Sequence, residues 1–356
     1  MTRIVHDVSA RPVTVGIDTH KDVHVAVALD SLGVRLGQLN FPTTADGYRQ
    51  LEGWACSLGP VAGFGIEGTG SYGAALARAL TVRGHHVVEV NRPDRATRRR
   101  AGKSDPVDAE AAARAVLANI ARVVPKSGDR QVEMIRMLKM AKDSAIKART
   151  QAMNQIKAIL VTASPQLRDP HRSLTPGRLI KACATLDTGP LSDPDAAARY
   201  TLQLLANRHQ CLSQEIRLLR RQISSLLQQA APNLLECFAV AEDAAATLLI
   251  TAGDNPHRLH SEAAFAALCG TSPIQASSGK IQRHRLNRGG DRRANATLFR
   301  IVIVRLRYHQ PTRDYMTRRL AQGKTKLEII RCLKRFVARE LYQALLHGPA
   351  THTSTA

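Results

Sequence analysis

Aromatic residues are scarce in this chain of 356 residues, which holds one Trp, six Tyr and six Phe. So few flat rings leave no prominent stacking platform for single-stranded nucleic acid. Acids are also in short supply, with 29 Asp and Glu against 51 Lys and Arg, for a formal charge of +22. That imbalance points to a polyanionic partner, because each phosphate neutralised releases condensed counterions. It does not separate an enzyme from a generic nucleic-acid binder. The six cysteines, Cys56, Cys183, Cys211, Cys237, Cys269 and Cys332, include no C-x-x-C pair, which argues against zinc ribbons and redox motifs. No apolar run approaches the roughly 20 residues that span a bilayer. The N-terminal MTRIVHDVSARP has no apolar h-region of a signal peptide. The expectation is a protein of the reducing cytosol with no membrane partner.

What is present begins with strand patterning. VTVGID (13–18) and VHVAVAL (23–29) read as strands joined by the polar turn THKD, with a third strand at Arg35–Phe41 completing a meander. A helix over 44–57, the buried strand VAGFGIE (61–67), a Gly-rich turn, a helix from about Tyr72 to Arg83 and a strand HHVVEV (85–90) follow. Three strands and then alternating helix and strand predict an α/β domain on a mixed sheet, residues 1–125.

Residues 126–230 read as a helical, coiled-coil-like middle. Leu138, Ala141, Ala145, Ala148, Ala152 and Ile159 follow a 3–4 spacing that Gln155 interrupts. The second run is cleaner: Leu202, Leu205, His209, Leu212, Ile216, Leu219, Ile223, Leu226 and Ala230. His209 there reads as a structural core histidine. Between the runs, 161–200 is rich in Pro, Asp, Ser and Thr and reads as an irregular connector. Residues 231–347 form a mainly helical C-terminal domain, with helices at Glu242–Thr251 and Ser261–Cys269, a Ser/Gly loop at 276–279, a long basic stretch and a closing amphipathic helix, KTKLEIIRCLKRFVARELYQALL. Residues 348–356 are a loose tail. From Lys280 to Arg319 twelve Lys or Arg face two acids, Asp291 and Asp314, but interleaved apolar residues such as Leu298, Ile301 and Val302 make this a folded basic helix.

Four acids stand out. Asp18 ends the first strand and Glu67 the fourth, so neighbouring strands would bring both to one sheet edge. Asp105 and Asp108 open DPVDAEAAARAVL three residues apart, on one helix face. Four converging acids repel unless cations hold them, and hard oxygen ligands suit Mg²⁺ in a two-metal phosphoryl-transfer site. Helix capping is the competing reading for Asp105 and Asp108, and a turn or surface acid for the other two. Just ahead lies a basic cluster, Arg92, Arg95, Arg98, Arg99, Arg100 and Lys103, which is either a solvated face or a guide for a phosphate backbone.

GIDTHKDVHVAVALD, IEGTGSYGAALARAL and AGKSDPVDAEAAARAVL together resemble the three blocks of the DEDD transposases of the insertion-sequence-110 family, and FAALCGTSPIQASSGK…RLNRGGDRRANATLFRIVIVR resembles that family's second domain. The resemblance implies an RNase H-like (RuvC-like) N-terminal domain with Asp18, Glu67, Asp105 and Asp108 as catalytic metal ligands for two Mg²⁺ ions. It implies a serine nucleophile in ASSGK, taken as Ser278 with Ser277 as the alternative. Lys280, Arg283, Arg285, Arg288, Arg292 and Arg293 would then bind nucleic acid. The implied partners are donor and target DNA, a structured bridge RNA from the same element and further copies of the chain as a dimer or tetramer, working on nucleoid DNA in the bacterial cytosol. One departure is visible: a G-V-G-like turn of the family is replaced by alanines in FAVAEDAAATLL (238–249), which puts a helix-hairpin-helix-type backbone contact in doubt. Rival readings are a RuvC-like nuclease of the junction-resolvase type that uses water, a non-catalytic binder, and an actin-like sugar kinase whose phosphate loops are not evident.

Overall fold

The computed structural model of the chain describes residues 11–90, 104–280 and 284–346. It divides into two units, Met1–Asp129 with Ala252–His260, and Arg130–Thr251 with Ser261–Ala356. In the first unit, β1 (Val13–Asp18), β2 (Val23–Leu29) and β3 (Arg35–Pro42) form an antiparallel meander. Strands β4 (Val61–Glu67) and β5 (Val87–Val90) add in parallel on the other side of β1, giving the order β3-β2-β1-β4-β5. The mixed α/β sheet expected from the strand pattern is thus present.

Strand alternation decides what each face carries. Val13, Val15, Ile17, Phe64 and Ile66 pack with Leu51, Leu76 and Leu80 of α1 (Ala45–Leu58) and α2 (Ala74–Val82) in one core. The opposite face of β1 and β4 presents Gly16 and Gly65. There α3 (Asp105–Leu117) lies directly on the sheet, Ala109 and Ala113 packing with Val25, Val27 and Leu29. A Cβ on Gly16 would sit 2.0 Å from the carbonyl oxygen of Ala109, and one on Gly65 2.6 Å from Val116. Two adjacent glycines therefore let a helix backbone touch the strands. Residues from far along the chain complete this unit: the Asn255 amide donates to the carbonyl of Pro125 and accepts from the N–H of Ser127.

The second unit is built on two long helices, α4 (Gln131–Thr162) and α7 (Pro194–Ala230). Gln131 bonds Gln229, while Ile156 and Leu160 pack against Leu202 and Ala206, so the pair is antiparallel. The α7 stripe faces inward as its spacing predicts, with Leu202, Ile216 and Ile223 buried. On α4 the buried face is shifted from expectation. Lys139 and Lys142 are buried, while Leu138 and Ala141 are only half-buried. Both ammonium groups reach Asp243, at 2.6 and 2.7 Å. Burial raises the Asp243 pKa, but these two bonds outweigh it and hold the carboxyl at about 2.

The stretch 161–200, expected to be irregular, contains α5 (Pro165–Arg168), a 3₁₀ turn (Asp169–His171) and α6 (Pro176–Ala184) before α7 begins. Beyond α7 come α8 (Pro232–Glu236), α9 (Glu242–Ala252) and α10 (Glu262–Leu268). Next are a two-stranded ribbon of β6 (Ile274–Gln275) and β7 (His284–Arg285), then α11 (Arg292–Tyr308), α12 (Gln310–Ala321) and α13 (Lys326–Leu346). All six cysteines are free. Among the described residues no helix is long and apolar enough to cross a membrane.

The alanine departure leaves a backbone mark. Ala239 has φ 67°, a left-handed conformation that favours glycine. The adjoining carbonyl of Phe238 is taken by the guanidinium of Arg305, at 3.0 and 3.1 Å, and so is already engaged within the fold. Ala239→Gly is expected to stabilise the fold by about 1 kcal/mol, the usual penalty for an L-residue there less the added chain entropy of glycine. A higher denaturant midpoint at unchanged slope would bear this out; a lower midpoint would refute it.

Candidate active site

Asp18 and Glu67 end neighbouring parallel strands whose register pairs Gly16 with Gly65 and Ile17 with Ile66. Each acid lies two residues beyond its glycine, hence on the face that α3 covers. Thr19 ties the two strand ends together, its hydroxyl donating to the carbonyl of Glu67 at 2.8 Å. Because Ala109 sits over Gly16, the residues just before it in α3 reach the end of β1. Those residues are Asp108, which is buried, and Asp105, which is exposed. Ser104 occupies the N-cap position, so Asp105 is the first helical residue rather than the cap.

The electrostatics record the crowding. Burial is the main reason the Asp18 pKa is raised above 3.8; Asp108 and Asp105 push it further up, and His20 opposes them. His20 is the residue that the strand-and-turn reading passed over. Its Nε2 lies 3.2 Å from an Asp18 oxygen and 3.4 Å from an Asp105 oxygen. The turn is held from beneath by His24, whose Nδ1 accepts from the His20 N–H at 3.2 Å. The His24 ring is fully buried, stacked on Tyr48 and edge-on to Phe41. Burial, and then His20, push its pKa down to about 4, so it stays neutral and keeps an acceptor for that bond. The only sequence signal for His20 was its place in the THKD turn two residues past Asp18.

In the second unit, Ser278 lies in the exposed loop between β6 and β7, followed by Gly279 at φ 55°. Ser277 is half-buried, its hydroxyl accepting from the Gln275 amide at 3.3 Å. The base of this ribbon is clamped by two glycines in backbone contact, since a Cβ on Gly290 would lie 2.2 Å from the nitrogen of Gly270. The N–H of Asp291 donates to the carbonyl of Leu268 at 2.7 Å, and the Asn295 amide bonds the carbonyls of Cys269 and Gly270. Asp291 itself caps α11, accepting from the N–H groups of Arg293 and Ala294.

A family model described as transposase, for the DEDD type of IS110 elements, matches residues 15–165, and one described as transposase of the IS116/IS110/IS902 family matches residues 231–317. The chain belongs to the IS110 family of transposases. No curated protein matches it. As an IS110-family transposase it acts on DNA, and the DEDD domain implies use of a divalent metal. The donor set fits such an ion. One ligand atom each from Asp18, His20 and Asp105 lie within 4.8 Å of one another, and the burial of Asp18, with the lesser repulsion from Asp108 and Asp105, is a penalty of the kind a cation relieves. Of the transposase's basic residues singled out from sequence, Lys280, Arg285, Arg288, Arg292 and Arg293 are exposed around the ribbon and the start of α11. Arg92, Arg95, Arg98, Arg99, Arg100, Lys103 and Arg283 lie outside the described residues.

Proposed function

We propose that this transposase cuts and rejoins DNA by phosphoryl transfer, using an RNase H-like (RuvC-like) acid site and a serine nucleophile. The observation that carries the reading is the pairing of the Asp18 and Glu67 strand ends beneath the α3 turn that bears Asp105 and Asp108. Those four acids, with His20 beside them, would hold two Mg²⁺ ions. When bound, the ions would polarise the scissile phosphate and neutralise developing charge.

The nucleophile is Ser278, favoured over Ser277 by its exposure. Its Oγ forms a bond to phosphorus as the bond from phosphorus to the leaving sugar oxygen breaks, and the hydroxyl proton ends on that oxygen. A sugar hydroxyl from the partner DNA then reverses the serine bond, which conserves bond energy without ATP. Lys280, Arg285, Arg288, Arg292 and Arg293, with the basic residues ahead of Asp105, would bind flanking phosphates. A bridge RNA from the same element supplies sequence choice, and a dimer or tetramer brings donor and target together in the bacterial cytosol.

The test is a reaction of purified protein with Mg²⁺, element RNA and donor and target duplexes, resolved on denaturing gels. Wild type and Ser277→Ala are expected to yield a covalent protein–DNA adduct, and Ser278→Ala to yield none while still binding nucleic acid. Cleavage without an adduct, unaffected by Ser278→Ala, would establish a hydrolytic RuvC-like nuclease and remove the serine from the mechanism.

A further inference from the structure

A cavity of about 870 Å³ in the second unit is lined by the 270–273 segment, β7, and helices α12 and α13. Six cations face it, Arg285, Arg319, Lys324, Arg331, Lys334 and Arg335, against one carboxylate, Glu328. That carboxylate is engaged in capping α13, accepting from the N–H and hydroxyl of Thr325 at 2.9 and 2.8 Å. Arg335 is answered by Glu262 at 2.7 Å. Among the described residues, no acid is paired with the other five in this structure.

One of those five is placed where an unmet charge is expensive. Lys334 is 7% exposed, and its ammonium donates to a neutral partner, the Asn295 side-chain oxygen, at 2.9 Å. Burial and then Arg331 depress its pKa. Arg319 is half-exposed and donates from Nη1 to the Gln322 side-chain oxygen at 2.6 Å, but its Nε is buried with no hydrogen-bond partner among the described residues. A buried ammonium with no carboxylate beside it gains from an anion brought into the cavity, which would pair its charge. The same wall carries two of the chain's few aromatic rings, Tyr315 and Phe336, in edge-to-face contact at 5.5 Å, with Arg319 over the Tyr315 ring. Cations for a phosphate beside rings for a base describe a nucleotide, and the volume lies in the range of small-ligand sites. A base stacked within a duplex cannot enter such a recess unless it leaves the stack.

We infer that this cavity receives one unpaired nucleotide of the nucleic acid on which the transposase acts, with its phosphate against Lys334, Arg331 and Arg319 and its base against Tyr315 and Phe336. The inference needs a nucleic-acid enzyme but neither the metal site nor Ser278. It is therefore tested in the full-length Ser278→Ala protein without Mg²⁺, where the chemistry proposed above is silent.

The probes are matched duplexes, fully paired or with a single extrahelical nucleotide, made in RNA and in DNA, with adenosine monophosphate and inorganic phosphate as competitors. The expected result is about tenfold tighter binding of a bulged duplex than of its paired counterpart. Lys334→Met and Arg319→Gln should each erase that preference while leaving the paired duplex bound as before. Whichever polymer shows the preference identifies the source of the nucleotide. Thermal midpoints at or above wild type for Lys334→Met would confirm that the variant is folded, since it removes a buried charge. Equal binding of bulged and paired probes, an unchanged preference in both variants, or competition by inorganic phosphate as strong as by the mononucleotide would overturn the proposal.

Discussion

Asp18→Asn is expected to lower strand transfer by about 10³-fold, on the order of 4 kcal/mol of barrier, while raising the thermal midpoint of the metal-free protein. The two effects share one cause. The Asp18 carboxylate is largely buried, and burial raises its pKa, with Asp108 and Asp105 adding to the rise and His20 subtracting from it. An acid whose pKa is higher folded than unfolded leaves the fold unburdened below the unfolded value. It weakens the fold progressively as pH climbs through the folded value. Near neutral pH the metal-free protein therefore carries the whole penalty, and the neutral amide removes it. If Asp18 holds the metal as proposed, a divalent cation would relieve the same penalty in the wild type, and Mg²⁺ should raise the wild-type midpoint. The shift grows with concentration, reaching about 2.7 kcal/mol at a hundred times the dissociation constant. In Asp18→Asn that response should nearly vanish, and near pH 3.5 the metal-free difference between the proteins should shrink. Unimpaired strand transfer, or an equal response to Mg²⁺ in both proteins, would remove Asp18 from the metal site.

Gly16→Ala should be as damaging from the opposite direction, by breaking the fold around intact acids. The new methyl would lie 2.0 Å from the Ala109 carbonyl oxygen and 2.2 Å from the Ala113 nitrogen. Both atoms are backbone, so no rotamer change makes room, and α3 itself must move. Overpacking of this kind costs about 3 kcal/mol. A shift of α3 by about 1 Å carries Asp105 and Asp108 away from Asp18, and misplacement on that scale costs about 10²-fold in rate. Gly53 is the control: it lies within α1 with nothing within 4 Å of an added Cβ, so Gly53→Ala should stabilise by roughly 0.5–1 kcal/mol. Denaturant midpoints for the two variants settle the comparison. A Gly16→Ala protein as stable and active as wild type would mean that α3 does not rest on β1 in solution.

Much of the first unit is legible in the chain because its signals are local. The runs at 13–18, 23–29 and 61–67 end where the strands end, and the D, E and D-x-x-D acids sit at element boundaries that periodicity reveals. What escaped reading depended on partners distant in sequence. Lys139 and Lys142 look like solvated charges until Asp243, a hundred residues on, is found between them. His20 looks like a turn residue until α3 brings Asp105 to it. The stretch 161–200 misled for a different reason. Its Pro, Asp, Ser and Thr content suggests an irregular connector, yet Ser164-Pro165, Thr175-Pro176 and Asp193-Pro194 each start a helix, the one place where a missing N–H costs nothing. The scarcity of aromatic residues likewise concealed that two of them, Tyr315 and Phe336, share one wall.

The antiparallel helices of the second unit also have a mechanical meaning. With 37 residues α7 is about 55 Å long at 1.5 Å per residue, and its side-by-side contact with α4 stiffens both against bending. Near Gln131 and Gln229 the pair joins the rest of its unit. At the other end Ile156, Leu160, Leu179 and Leu202 seal it with α6. The helix stops at Ala231 because Pro232 has no N–H to continue it, and the Lys139 and Lys142 bonds to Asp243 fasten the pair to α9. Over that length a tilt of about 10° at the joined end would carry the sealed end through about 10 Å, so these bonds near one end govern where the far end lies.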